Sequence, residues 1–213
     1  MPTISLDNKL SSTILIFQVN PKNQSALIDA GIENSKKVME KKTGFVSTSF
    51  HKSFDGTSVV NYSQWENRKS YGDAINFLNP DEVVIGGKIF DIADPDWNIY
   101  ELVFSAGTNP TRISKDANLV TVVNKFSVKP ENHKKLLQLL EDLRVVVEKL
   151  PGFISANVHR SFEGTRIVSY AQWNTKEAYQ AVYTNSEAKP ILDEIKKISK
   201  FSWNLYEVVY TSD

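Results

Sequence analysis

Residues 44–65, GFVSTSFHKSFDGTSVVNYSQW, return at 152–173 as GFISANVHRSFEGTRIVSYAQW. Twelve of the 22 positions are identical, and Val46/Ile154, Lys52/Arg160 and Asp55/Glu163 are mild exchanges. The echo reaches the end of each half, where Trp97-Asn98-Ile99-Tyr100-Glu101 is matched by Trp203-Asn204-Leu205-Tyr206-Glu207. A unit of roughly a hundred residues is too long for a solenoid repeat and has the size of a whole domain. The expectation is two like domains, residues 1–108 and 109–213, with GTNPTRISKDAN (107–118) as an exposed linker between them.

Within the first half, the β-branched run 13–19 predicts a buried strand. A helical face of Leu27, Ile28, Ile32, Ser35, Val38 and Met39 follows Pro21 and stops at Gly44. Strands over 45–53 and 58–65 flank Asp55-Gly56, a tight-turn pair. Residues 66–78 read as a second helix, 81–90 as a short helix or irregular insert, and 97–104 as a last strand. The second half repeats the order: strand 120–128, helix 131–150, hairpin 153–173, helices 175–184 and 186–199, strand 203–210. The order β-α-β-β-α-β predicts an α+β fold of two ferredoxin-like repeats. Val60, Tyr62, Val168 and Tyr170 leave each sheet with a second apolar face. The two sheets are therefore expected to pack against each other inside one chain.

Composition narrows the function classes. The 213 residues carry 25 basic and 25 acidic side chains, so no net charge draws the chain to nucleic acid or to an anionic membrane. With no cysteine, disulfides, thiolate catalysis and zinc–thiolate sites are excluded. Neither a secretory signal nor an apolar run of membrane-spanning length is evident, and a cytoplasmic protein is expected. Three scattered histidines make no metal-ligand set. His51 and His159 are read as half-exposed strand residues bonded to neighbours, and His133 as a solvated helix residue. Glu101 and Glu207, in apolar last strands, need partners among Lys52, Lys125 and Arg160.

Strand alternation puts Asn61, Ser63 and Trp65 on one face, and Ser169, Ala171 and Trp173 on the matching face of the other half. Tyr71 and Tyr179 follow six residues after each Trp and can lean over the same space. An indole beside small neighbours can wall a cavity; on residue types alone, the favoured reading is that Trp and Tyr pack helix onto sheet.

The helix–Pro151-Gly152-Phe153 junction, the hairpin and the strand-ending Trp before the second helix resemble the antibiotic biosynthesis monooxygenase family of the dimeric α+β barrel superfamily. The resemblance covers both halves. It implies a cofactor-independent oxidation of a phenolic or polycyclic aromatic small molecule by dioxygen. The catalytic residues it implies are Asn61, Trp65 and Tyr71. Ser63, Asn124, Ser169, Trp173 and Tyr179 become candidate substrate-binding residues. The Arg of such sites has no secure match, Lys88 being a candidate, and the second half has Ser169 where the first has Asn61. A non-catalytic small-molecule-binding protein of the same fold is the alternative. Heme-degrading relatives match at Asn124 and Trp173, but 187–197 lacks their heme-binding His. A homodimer of the fused chain is a further expectation.

Overall fold

The computed structural model describes residues 2–212. In the first half β1 (Thr3–Ile4), β2 (Ser11–Gln18), α1 (Gln24–Lys37), β3 (Phe45–Ser53), β4 (Ser58–Trp65), α2 (Arg68–Asn76), α3 (Pro80–Phe90) and β5 (Pro95–Gly107) follow in order. The second half contributes β6 (Thr111–Arg112), β7 (Val120–Val128), α4 (His133–Val147), β8 (Phe153–Ser161), β9 (Arg166–Trp173), α5 (Lys176–Thr184), α6 (Ala188–Ile198) and β10 (Ser199–Thr211). The ambiguous segment 81–90 is helix α3. Asn79 and Glu82 close a capping box at its start, and Pro80 takes the first turn, where its missing N–H is not needed. Among the described residues, no helix is long and apolar enough to cross a membrane.

Eight strands close into one barrel in the order β10-β3-β4-β2-β5-β8-β9-β7. The two sheets join edge to edge as well as face to face. β5 pairs with β2 over Pro95–Glu101 and then with β8 of the other half from Tyr100 to Gly107. β10 does the same between β7 and β3. Both strands run 13 residues, longer than expected from the sequence: β5 continues through Ser105–Gly107 by pairing with β8 of the other repeat, and β10 starts earlier because Ser199–Ser202 pair with β7 of its own. Closure leaves the barrel no free edge.

Inside the barrel lie Ile14, Ile16, Val60, Tyr62, Tyr100, Val123, Val168, Tyr170 and Tyr206. The expected linker departs from its reading. Ile113 is fully buried in this same core beside Ile4, and β6 pairs antiparallel with β1. Gln64 Nε2 donates to Thr3 O, and Gln172 Nε2 donates to Arg112 O. Residues 110–114 are thus the second half's copy of the N-terminal strap. A one-residue slip between Pro2-Thr3-Ile4 and Pro110-Thr111-Arg112-Ile113 hides the match in sequence.

The histidines are also deeper than expected. His51 and His159 are wholly buried inside the barrel. Their Nδ1 atoms lie 3.4 Å from Val60 O and 3.1 Å from Asn157 O. A carbonyl only accepts, so Nδ1 carries the hydrogen and Nε2 accepts. Tyr170 O–H donates to His51 Nε2 and Tyr62 O–H to His159 Nε2, both at 3.0 Å. Each bond runs from one half to the other. Glu101 pairs with Arg160, also across the halves, and Glu207 with Lys52. Lys125 pairs with Asp96 instead.

Desolvation pulls both buried imidazoles from 6.5 down to about 4. As pH falls below 6.5 the unfolded chain takes up protons that the folded chain refuses. The contribution is therefore complete above that value and is lost towards about 4, by about 3 kcal/mol per imidazole. Denaturant titrations across this window should show stability falling while NMR shows both rings still mostly neutral until the pH nears about 4. Rings that titrate near 6.5 in the folded protein would contradict this burial.

Candidate active site

Outward-facing side chains of the barrel meet the helices and leave a cavity on each half. In the first half Thr13, Leu15 and Phe17 of β2, Thr48 and Phe50 of β3, and Val59, Asn61, Ser63 and Trp65 of β4 form its floor. Leu27, Gly31, Asn34 and Ser35 of α1 form one wall. Tyr71 and Ile75 of α2, Gly86, Ile89 and Phe90 of α3, and Pro95 and Trp97 of β5 complete it. The cavity holds about 260 Å³, and no lining side chain is charged. Trp97 and Phe90 remain about half exposed at its rim, so the approach is apolar too.

Asn61, Ser63, Trp65 and Tyr71 are therefore brought together. Asn61 Nδ2 donates to Thr48 Oγ1 at 2.7 Å and to Ser49 O at 3.3 Å. Ser63 Oγ donates to Asn61 Oδ1 at 3.2 Å, so the Thr48 hydroxyl donates to Ser63 Oγ at 2.7 Å. This ring of bonds spends both amide hydrogens of Asn61. Trp65 meets Tyr71 edge to face at 5.4 Å, and Tyr71 meets Trp97 at 6.1 Å. Among the described residues the buried Trp65 indole N–H has no partner, and neither does Asn34 Oδ1. Each such group costs about 1–3 kcal/mol unless something in the cavity satisfies it. Burial pushes the Tyr71 phenol up to about 12, so it is neutral.

In the second half Asn124, Ser169, Trp173 and Tyr179 also gather, around only about 70 Å³. Matching the two repeats explains the difference. α1 and α4 both follow a short turn that opens with Pro21 or Pro130. Counted from there, Gly31 corresponds to Leu140 and Asn34 to Leu143. Counted from the paired tryptophans, Ile75 corresponds to Tyr183, Gly86 to Leu192 and Pro95 to Phe201. The larger member in each pair but one lines the smaller cavity; Asn34/Leu143 differ in polarity more than in size. Tyr179 O–H donates to Asn124 Oδ1 at 2.9 Å, and the Tyr183 hydroxyl lies 2.8 Å away. Tyr71 has Leu15 and Ile75 in those places, so its hydroxyl makes no hydrogen bond among the described residues.

Lys88 is not in the cavity; it reaches Glu33 at 3.0 Å on the outer surface of α1. The sequence reading missed Gly31, Asn34 and Tyr183. It also missed Arg144, which lines the small cavity with a buried, unpartnered Nε. The signal for all four was available by setting helix against helix across the repeat, where sizes and polarities disagree.

The family model for antibiotic biosynthesis monooxygenases matches residues 119–189. Tetracenomycin-F1 monooxygenase of Streptomyces glaucescens is 35% identical over 92 residues, spanning 41% of this chain and 80% of that enzyme. The chain belongs to the antibiotic biosynthesis monooxygenase family. In this member the stretch that matches the family model is the half with the smaller cavity. An anthrone oxidase-like protein superposes with a TM-score of 0.82 at 21% identity, covering 99% of this chain and 96% of that one. A candidate monooxygenase of Fusobacterium nucleatum subsp. nucleatum gives 0.68 at 12% identity, covering 96% and 94%. These two likenesses show the fold, here carried by both repeats in a single chain.

Gly31 sets the size of the first cavity. A methyl there would stand 2.4 Å from Phe50 Cε1 and 2.8 Å from Cζ. Gly31→Ala should push the ring off α1 at a cost of about 1–3 kcal/mol, read from urea denaturation. A variant as stable as the parent would mean the ring is not held against the helix.

Proposed function

We propose that this chain is a cofactor-independent monooxygenase acting in its first half on a neutral, phenolic aromatic molecule. The observation that carries the reading is the uncharged cavity of about 260 Å³ between Trp65, Tyr71 and Trp97. Its volume lies just below the range of about 300–1,000 Å³ typical of drug-sized ligand sites, which suits a small ring system. Apolar walls with a few polar groups suit a planar ring with oxygen substituents. An anion or a phosphate ester would find no counter-charge there.

In the reaction, a ring carbon bearing hydrogen para to the phenol is converted to a carbonyl. One oxygen atom of dioxygen stays on that carbon and the other leaves as water, while the phenol becomes the second carbonyl of a quinone. The phenol first loses its proton, and the ring carbon then passes electron density to dioxygen. Trp65 N–H is free to donate to the phenolate oxygen. Asn61 joins by exchanging its bond to Thr48 for one to the same oxygen. Tyr71 stays protonated at neutral pH and is suited to deliver a proton to the departing peroxide oxygen, not to act as the base. In the second half the hydroxyl of Tyr179 is already spent on Asn124. The partners are a small-molecule substrate and dioxygen.

One observation favours a second reading, a binding protein without turnover: no carboxylate, imidazole or amine lines the cavity to take the first proton. Oxygen uptake with hydroxylated anthrones and naphthols separates the two. Under the enzyme reading, Tyr71→Phe lowers turnover by about 10²-fold or more at unchanged stability. Tyr179→Phe leaves turnover nearly intact and costs about 1 kcal/mol of stability through the lost bond to Asn124. Equal losses of turnover would divide the chemistry between the halves; no oxygen uptake despite ligand binding would support the binding protein.

A further inference from the structure

The polar groups on α1 that face the first cavity are Asn34 and Ser35. Ser35 Oγ is committed, donating to Glu40 at 2.8 Å, and Glu40 also accepts from the Tyr210 hydroxyl. On the opposite wall Asn61, Thr48 and Ser63 bond to one another. Asn34 differs from all of these. Its side-chain amide makes no hydrogen bond among the described residues, and Oδ1 is buried. It sits where α1 meets α3. A methyl on Gly86 would stand 3.6 Å from Oδ1, an ordinary contact distance, which places that oxygen directly beside the α3 backbone. In the second half the same two places are the apolar Leu143 and Leu192, and the polar group α4 brings to that wall is Arg144, the counterpart of Ser35.

We infer that Asn34 is a specificity-determining residue of the first cavity, accepting a hydrogen bond from a second hydroxyl on the aromatic ligand, away from the oxygen held near Trp65. This rests on the aromatic-ligand reading above and narrows the substrate class to aromatics bearing at least two hydroxyl groups. A buried acceptor without a donor is costly, whereas the same acceptor met by a ligand O–H discriminates strongly against ligands that lack one. Asn34 has no part in the chemistry. It fixes which way round the ring lies, and so which carbon faces Tyr71.

The test is binding to the full chain, read by quenching of tryptophan fluorescence, with a naphthol bearing one hydroxyl and with the set of naphthalenediols. At least one diol should bind the parent about tenfold or more tighter than the naphthol, equivalent to about 1.4 kcal/mol. That advantage should disappear in both Asn34→Leu and Asn34→Ala. The Ala variant, which does not fill the cavity, should still bind the naphthol within about twofold of the parent. A diol advantage that survives in either variant overturns the assignment, as does naphthol binding to the parent with no diol preferred. If no probe binds the parent at all, the aromatic-ligand reading falls and this inference with it.

Discussion

Each four-stranded half has two apolar faces and one set of helices, and that imbalance governs the molecule. The helices bury one face. The other, with Val60 and Tyr62 in one half and Val168 and Tyr170 in the other, can leave water only against its counterpart. Barrel closure satisfies both at once. It also supplies strand partners for the outer ends of β5 and β10. The reciprocal bonds from Tyr170 to His51 and from Tyr62 to His159 are then made in the driest part of the fold. Polar groups buried in this way need their partners, so a shift of one half against the other would leave both imidazole Nε2 acceptors unsatisfied and the two tyrosines with only Ser12 and Thr121 of their own halves. The barrel core is thereby held to one register.

A core shared so evenly puts little constraint on the outer faces. There the halves have diverged in volume and in polarity. Gly31, Ile75, Gly86 and Pro95 open the first cavity, whereas Leu140, Tyr183, Leu192 and Phe201 close the second. Divergence extends to the hydrogen bonds. The Asn61–Thr48–Ser63 ring has Ser169, Ala156 and Ala171 as its counterpart, while the Tyr179–Asn124 bond has no equivalent on Tyr71. One half keeps an open site in which Asn34 Oδ1 and the Tyr71 hydroxyl are unpartnered among the described residues, and the other spends its tyrosine hydroxyls on each other and on Asn124, while each half leaves its strand-ending indole N–H unpartnered. The family model matches the half with the smaller cavity, which fits the view that fold and site vary separately.

Much of the fold was legible because the repeat aligns each element with its copy, and because the alternation at Asn61, Ser63 and Trp65 is unambiguous. The strand over 120–128 and the hairpin 153–173 coincide with β7, β8 and β9. What stayed hidden depends on contacts between the halves. Nothing local marks Ile113 as core, since its burial comes from β1 and the barrel end it plugs. The depth of His51 follows from Tyr170, 119 residues away. At the site, side-chain alternation gave the strand wall but not the helix wall, because the place of Asn34 depends on how α1 lies against α3. Lys88 had the charge for the missing cation but stands on the wrong side of α1, beside Glu33.

The first cavity, and not the second, is proposed to receive an aromatic ligand. A crystal structure of the protein soaked with a hydroxylated naphthalene tests this most directly. A planar ligand is expected among Trp65, Tyr71 and Trp97, with an oxygen near Trp65 Nε1 and the second cavity unchanged. Ligand density beside Trp173 and Tyr179, with the first cavity holding only water, would contradict it.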